Sequence, residues 1–266
     1  MTDTDVTEND RRSSTTSVHT SRRRFLATAG VAAFGITGIG VATSQSNQAT
    51  TRQFTVRIEN VSDGGTLDTT DGSKPVPLSP GAYAVHTADE PIFSRDRPER
   101  NNGLEEIAED GKPMRLAQTF SDRDTVVSSG VFTTPVGADS AGPIFPGDAY
   151  EFEIEASDGR PTHYLSLVTM FIQSNDLFYA LGGPDGMRLF RETGSAPTTG
   201  DVTDHIGLWD AGTETNQEPG VGTDQAPRQR ATNIGNVERE TVVPIDEING
   251  YDYPAVEDVI RVRLRP

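Results

Sequence analysis

The chain has 266 residues, 33% of them hydrophobic, and carries 40 Asp and Glu against 23 Lys and Arg for a net charge of −17. That length suits one large domain or two small ones, and without a basic stripe beyond the first residues the acidic balance argues against direct nucleic-acid binding. The chain contains no cysteine, which excludes disulfides, thiolate metal sites, a cysteine nucleophile and any lipid anchor attached through cysteine.

Only Lys74 and Lys112 are lysines; the remaining basic residues are arginines. An acid-rich, lysine-poor surface fits a halophile, because concentrated salt screens like charges within a few ångströms.

Residues 1–20 form a polar leader. The stretch "SRRRFLATAGVAAFGITGIGVATSQ" follows, with Arg22, Arg23 and Phe25 ahead of an apolar run and small residues at Ala42 and Ser44. A basic cluster, an apolar segment and small residues in that order form an export signal. The paired arginines before Phe-Leu resemble the twin-arginine motif. Read instead as a membrane anchor, the run is too rich in Gly, Ala and Thr to make a good spanning helix. The expected organisation is a signal segment over 1–44, a flexible lead-in over 45–52 and a single domain over 53–266.

From Gln53 the pattern is of short strands between turns. In "FTVRIEN", Phe54, Val56 and Ile58 alternate with Thr55, Arg57 and Glu59, giving one buried and one wet face. "AYAVHT" reads as a second strand. "NGLEEIAEDGKPMRLAQTF" is the one helical candidate, with Leu104, Ile107 and Ala108 at helical spacing, Asn102 able to cap, and Gly111 with Pro113 as the stop. "VVSSGVFTT" reads as an edge strand. In "GDAYEFEIEAS", Tyr150, Phe152 and Ile154 face inward between Glu151, Glu153 and Glu155. "HYLSLVTMFIQ" is apolar on both faces and predicts a central strand, and "LFYALGGPDGMRLF" predicts two strands about a Gly-Pro-Asp-Gly turn. "DVIRVRLRP" closes the chain with Ile260, Val262 and Leu264 alternating with arginines. About eight strands, one short helix and no crossover helices predict an all-β fold, an antiparallel eight-stranded β-sandwich.

No phosphate-binding glycine loop, zincin motif or serine elbow is present. His19, His86, His163 and His205 are scattered, and "DTTDGS" lacks the ligand spacing and distal Glu of an EF-hand. Two acidic stretches differ from ordinary surface charge. "QSNDLFYAL" sets Asn175 and Asp176 directly after the most apolar strand. "LWDAGTETNQEPG" sets Asp210 and Glu214 four residues apart, with Gly212 permitting a sharp turn between them. Hard oxygen ligands without His or Cys suit calcium; a solvated acidic turn has the same composition.

"DAGTETNQE", "SNDLF" following "LSLVTMF", and "GLEEIAEDG" upstream together resemble the spondin N-terminal domain family across roughly residues 53–266. The family's Asp-Ala-Gly-Thr-Asp/Glu loop is the most specific of these matches, and an Ala-Glu-x-Gly helix end is another. The resemblance implies an eight-stranded sandwich like that of calcium- and lipid-binding domains, with one calcium held by Asp176, Asp210 and Glu214 together with backbone carbonyls. Glu214 stands where the animal proteins have Asp. The animal proteins also carry thrombospondin repeats and cysteines that this chain lacks, so their matrix and neuronal roles do not transfer. Trp209 is expected to anchor the acidic loop to the core.

Three functions follow as expectations. The first is a secreted or cell-surface calcium-binding adhesion or interaction module, not an enzyme, with an extracellular partner. The second is a calcium-dependent carbohydrate- or lipid-binding module in which Phe178, Tyr179 or Tyr251 stacks on the ligand. The third is a hydrolase using Asp176, Asp210 or His163, for which no nucleophile or acid–base pair has a recognisable setting.

Overall fold

The computed structural model describes residues 49–266, apart from Glu90, residues 193–195 and Asn249. The expected signal segment, 1–44, lies outside the described residues, as does the lead-in as far as residue 48. In chain order the described elements are β1 (Thr51–Asn60), β2 (Leu78–His86), α1 (Leu104–Asp110), α2 (Met114–Ser121), β3 (Val126–Phe132), β4 (Ala149–Ser157), β5 (Tyr164–Phe171), β6 (Leu177–Leu181), β7 (Met187–Arg188), β8 (Gly200–Asp201), β9 (Ile206–Asp210), β10 (Val243–Pro244) and β11 (Ile260–Arg265).

The fold is all-β, in two sheets. One has the order β4-β1-β11-β8; the other runs β10-β9-β6-β5-β2-β3, with β7 also on β5. All strand pairings are antiparallel. In β1 the alternation holds residue for residue, with Phe54, Val56 and Ile58 fully buried. They meet Ile154, Phe152 and Tyr150 of β4 across the ladder. On the outer face, Arg265 and Arg57 pair with Glu151, and Arg263 with Glu59. Opposite charges facing each other across strands set register more than they add stability, since exposed pairs contribute about 0–1 kcal/mol.

The double-sided apolarity of β5 has a physical cause. Leu165, Leu167 and Phe171 share a core with Phe54, Ile58, Val262 and Leu264 of the other sheet. Val168, on the opposite face, packs with Phe178, Leu104, Ile107 and Phe120, so the two helices cover that side. The strand is central, between β6 and β2.

The single expected helix is two. Gly111 ends α1 in the left-handed region at φ 66°, where its N–H bonds back to Ile107. Pro113, which has no N–H to continue a helix, stands at the head of α2. A side chain at Gly111 would also collide with Ser79 Cβ at 2.7 Å, so the helix end is pressed against β2. Asn102 contributes as expected, its carboxamide accepting the Leu104 N–H at 3.2 Å, although Gly103 is the cap residue.

Four further differences have local reasons. Strand β1 starts at Thr51, inside the expected lead-in, because Thr51 and Arg52 pair with Ser157 and Ala156. Among the described residues there are eleven strands, of which β7, β8 and β10 are two residues long, too short to leave a period-2 signal. Strands β6 and β7 do not pair with each other; both lie along β5. Phe152 is only half-buried, because β4 is an edge strand, and its ring stacks on Tyr83 at 4.4 Å and Phe132 at 5.3 Å.

Candidate cation site

The turn from β5 to β6 is fixed by Ser174, whose hydroxyl donates to the Phe171 carbonyl at 2.6 Å and accepts the Leu177 N–H at 3.1 Å. This holds Asp176 at the foot of β6. Leu177 pairs with Asp210 at the end of β9, so the register brings Asp176 beside Asp210 although 34 residues separate them in sequence. Beyond Asp210 the chain turns sharply at Gly212, φ 66°, where a side chain would meet the backbone of Glu240 at 2.8 Å. The turned loop is then laddered to the following segment: Gly212 and Thr213 carbonyls accept the Glu240 and Glu238 N–H groups at 2.9 and 2.7 Å.

Asp176 is fully buried. Its Oδ2 accepts the Thr213 N–H at 2.7 Å, the Glu214 N–H at 3.0 Å and the Thr213 hydroxyl at 3.3 Å. Its Oδ1 is buried and accepts no hydrogen bond at all. Asp210, also buried, accepts the Gly212 N–H at 2.6 Å through Oδ1 and the Asn216 amide through Oδ2. Glu214 is brought to Asp176 by its backbone N–H, but its carboxylate turns elsewhere, accepting the Gly235 N–H at 3.0 Å and the Asn175 amide at 3.4 Å. Of the three expected ligands, then, Asp176 and Asp210 stand together and Glu214 joins them through its main chain. Among the described residues, no three Asp, Glu or His side chains form a group that could hold a metal ion as they stand.

A fourth carboxyl escaped the sequence reading. Glu109, at the end of α1, is only 4% exposed. Its residues were in view within the "AEDG" helix end, but a single glutamate in so acidic a chain carries no signal of burial. Burial pushes the Glu109 carboxyl from the ordinary 4.5 up to about 8, with Glu214 and other carboxyls adding to the rise. Burial and then Asp210 raise Asp176 well above the carboxylate range, and burial raises Asp210 and Glu214 in the same direction. The charged groups bearing on Asp176, Glu109 and Glu214 are all other carboxyls. The arrangement offers hard oxygens in a negative, poorly solvated pocket, and the buried free oxygen of Asp176 costs energy unless something positive meets it.

A pH dependence follows. Glu109 holds its proton more tightly folded than unfolded, so its contribution to stability is lost as pH rises between about 4.5 and 8. His86 and His163, whose pKa values burial lowers, act in the opposite direction, so the comparison that isolates Glu109 is wild type against Glu109→Gln. Melting followed in chelator at constant ionic strength should show the wild type losing ground to Glu109→Gln from about pH 5 to 8; a difference that does not change with pH would contradict the assignment.

Other expected participants are committed to structure. Trp209 packs its ring 4.9 Å from Phe93 in the helix-side core, which ties the acidic loop to the sheet as expected. Phe178 and Tyr179 are fully buried, so stacking on a ligand falls to Tyr251, which is 40% exposed. His163 Nδ1 accepts the Ser157 N–H at 3.0 Å. His86 is buried, with Nδ1 at 2.5 Å from the Ala88 carbonyl and Nε2 at 3.0 Å from the Ser166 hydroxyl; burial lowers its pKa. No protein-family model matches the chain, and no curated protein matches it either.

Proposed function

We propose that this chain is an exported, calcium-dependent interaction module of the spondin N-terminal type, an eight-stranded β-sandwich without catalytic activity. The observation that carries the reading is the buried Asp176 Oδ1, which has no donor and stands beside a second buried carboxylate, Asp210. The donor set fits a hard cation: it is all oxygen, without imidazole or sulfur. Asp176 and Asp210 would hold the ion, with Glu214, presently tied to Gly235 and Asn175, as the third ligand the resemblance implies. A bound calcium would supply positive charge that cancels carboxylate repulsion and fastens the β5–β6 turn to the loop after β9. Its role is structural, holding a recognition surface for an extracellular partner. A glycan or lipid surface is the alternative partner, favoured by the exposed Tyr251, which borders a cleft of about 500 Å³ that Asp210 also lines.

Titration calorimetry of the mature chain at constant high ionic strength tests the site. Calcium should bind at one site per chain and magnesium much more weakly, since magnesium demands compact octahedral geometry and dehydrates reluctantly. Absence of calcium heat would refute the proposal. Export has its own test. Replacing Arg22 and Arg23 by Lys keeps the charge but removes both guanidinium groups, and should leave precursor inside the cell; unchanged appearance of mature protein outside would contradict twin-arginine export.

A further inference from the structure

We infer that the turn between β4 and β5, together with the segment following β7, forms a binding site for a phosphate or sulfate group. The site lies at the opposite end of β5 from Asp176 and stands whether or not a cation binds there. Here a pocket of about 280 Å³, at the small end of the range for ligand sites, is lined by Arg160, Arg188 and Arg191 with His163 and Thr162. Such a gathering of arginines runs against a net charge of −17; the cleft beside Asp210, by contrast, is lined by Glu238 and Glu240.

The fold brings the basic groups together from two segments. Arg188 pairs with Tyr164 in the β5–β7 ladder, and the Leu189 N–H donates to the His163 carbonyl at 3.1 Å, so the chain from Arg188 to Arg191 starts beside the head of β5. Arg160 comes from the β4–β5 turn, which His163 pins by accepting the Ser157 N–H at 3.0 Å through Nδ1. That bond puts the proton of the neutral ring on Nε2, as a donor. Arg188 lies over the Tyr164 ring at 5.8 Å, which helps to hold its guanidinium in place. Among the described residues, the side chains of Arg160 and Arg191 have neither an ion pair nor a hydrogen bond. Arg57, Arg261, Arg263 and Arg265, on the sheet of β1 and β11, each have a carboxylate.

Two carboxylates also border the pocket. Asp158 is committed to the Thr50 N–H, which it accepts at 2.7 Å. Glu192 pairs with Arg188 at 2.9 Å, but its side chain is 80% exposed, so the pair adds little and an entering oxyanion can displace it. Guanidinium forks arriving from two segments suit a tetrahedral oxyanion better than a flat carboxylate, and chloride offers them only a point charge.

The experiment titrates the full-length chain with inorganic phosphate and with sulfate, with calcium chelated and with pH and ionic strength held constant in chloride. The His163 ring resonances report locally by NMR, and calorimetry gives the affinity. The wild type should show a saturable shift of His163. Arg160→Gln and Arg191→Gln change exposed side chains, so both should fold as the wild type does. Each should bind about tenfold more weakly, the loss expected for one charge-assisted hydrogen bond. Glu192→Gln should bind more tightly, because the competing carboxylate is gone. Arg261 faces Glu59 at the far end of β1, so Arg261→Gln controls for net charge and should bind as the wild type does. Glycerol phosphate and vesicles of phosphatidylglycerol distinguish a soluble ester from a lipid headgroup; binding of either that Arg191→Gln weakens supports the site. No saturable shift in the wild type, or equal weakening in Arg261→Gln and the two pocket variants, overturns the inference and leaves the calcium reading untouched.

Discussion

In the presence of chelator, Asp176→Asn is expected to melt no lower than the wild-type chain, and added calcium is expected to raise the melting temperature of the wild type alone. The asymmetry comes from the two oxygens of Asp176. Oδ2 is saturated by the Thr213 and Glu214 N–H groups, and the amide oxygen of an asparagine can keep those bonds. Oδ1 accepts nothing, and there asparagine would place an N–H₂ donor in surroundings on which the Asp210 and Glu109 carboxyls bear. The substitution thus removes a buried charge and adds a donor where one is lacking, relieving the metal-free fold while destroying the cation ligand. For the wild type, a ligand at a hundredfold excess over Kd that binds only the folded state adds about 2.7 kcal/mol. For a domain of this size each kcal/mol moves the midpoint by about 2–4 °C, so a rise of about 5–10 °C is expected. A metal-free Asp176→Asn that melts well below the wild type, or responds to calcium as the wild type does, would show Asp176 to be an ordinary structural carboxylate.

The second large effect concerns the core between the sheets. Phe54→Ala should destabilise the domain by about 3–5 kcal/mol, as a fully buried aromatic leaves both lost transfer energy and a cavity. Phe54 is fully buried in β1, between β4 and β11. Its ring meets Phe190 edge-on at 5.6 Å, and no simple relaxation can refill that space. Glu153→Ala, on the wet face of neighbouring β4, removes an exposed hydrogen bond from Gln53 and should stay within about 0.5 kcal/mol. Denaturant titration in high salt gives both values. Comparable costs for the two would mean that the inner and outer faces of this sheet are wrongly assigned.

Long, strictly alternating strands were legible because side-chain period alone decides their faces. That is why Phe54, Val56 and Ile58, and likewise Ile260, Val262 and Leu264, occupy the buried positions the sequence indicates. The two-residue strands were not legible, for they form by docking loops onto edges already made. Phe152 shows the limit of alternation: the pattern gives the face a residue points to but not whether the strand is central, and on edge strand β4 the inward position stays half-open.

At the site, composition singled out the stretch holding Asp176 and, about the turn at Gly212, Asp210 with Glu214; only the resemblance put the three on one cation, and register brings Asp176 and Asp210 together. The orientation of Glu214 was not legible, because it depends on Gly235, 21 residues further on, offering its N–H. Glu109 was hidden for a different reason. Nothing local distinguishes it from Glu105 and Glu106, and only the packing of a seven-residue helix against β5 and β6 buries it.

The most direct test of the central claim uses the single tryptophan as a local antenna. Trp209 immediately precedes Asp210 and packs in the core beneath the loop, so a lanthanide held by Asp176 and Asp210 would lie close to the indole. Terbium added to the mature chain and excited at the red edge, where tryptophan alone absorbs, should show sensitised emission that calcium displaces and magnesium displaces poorly. The emission should be lost in Asp176→Asn and in Asp210→Asn. No sensitised emission from the wild type, or equal emission from wild type and both variants, would contradict a cation site at this pair of carboxylates.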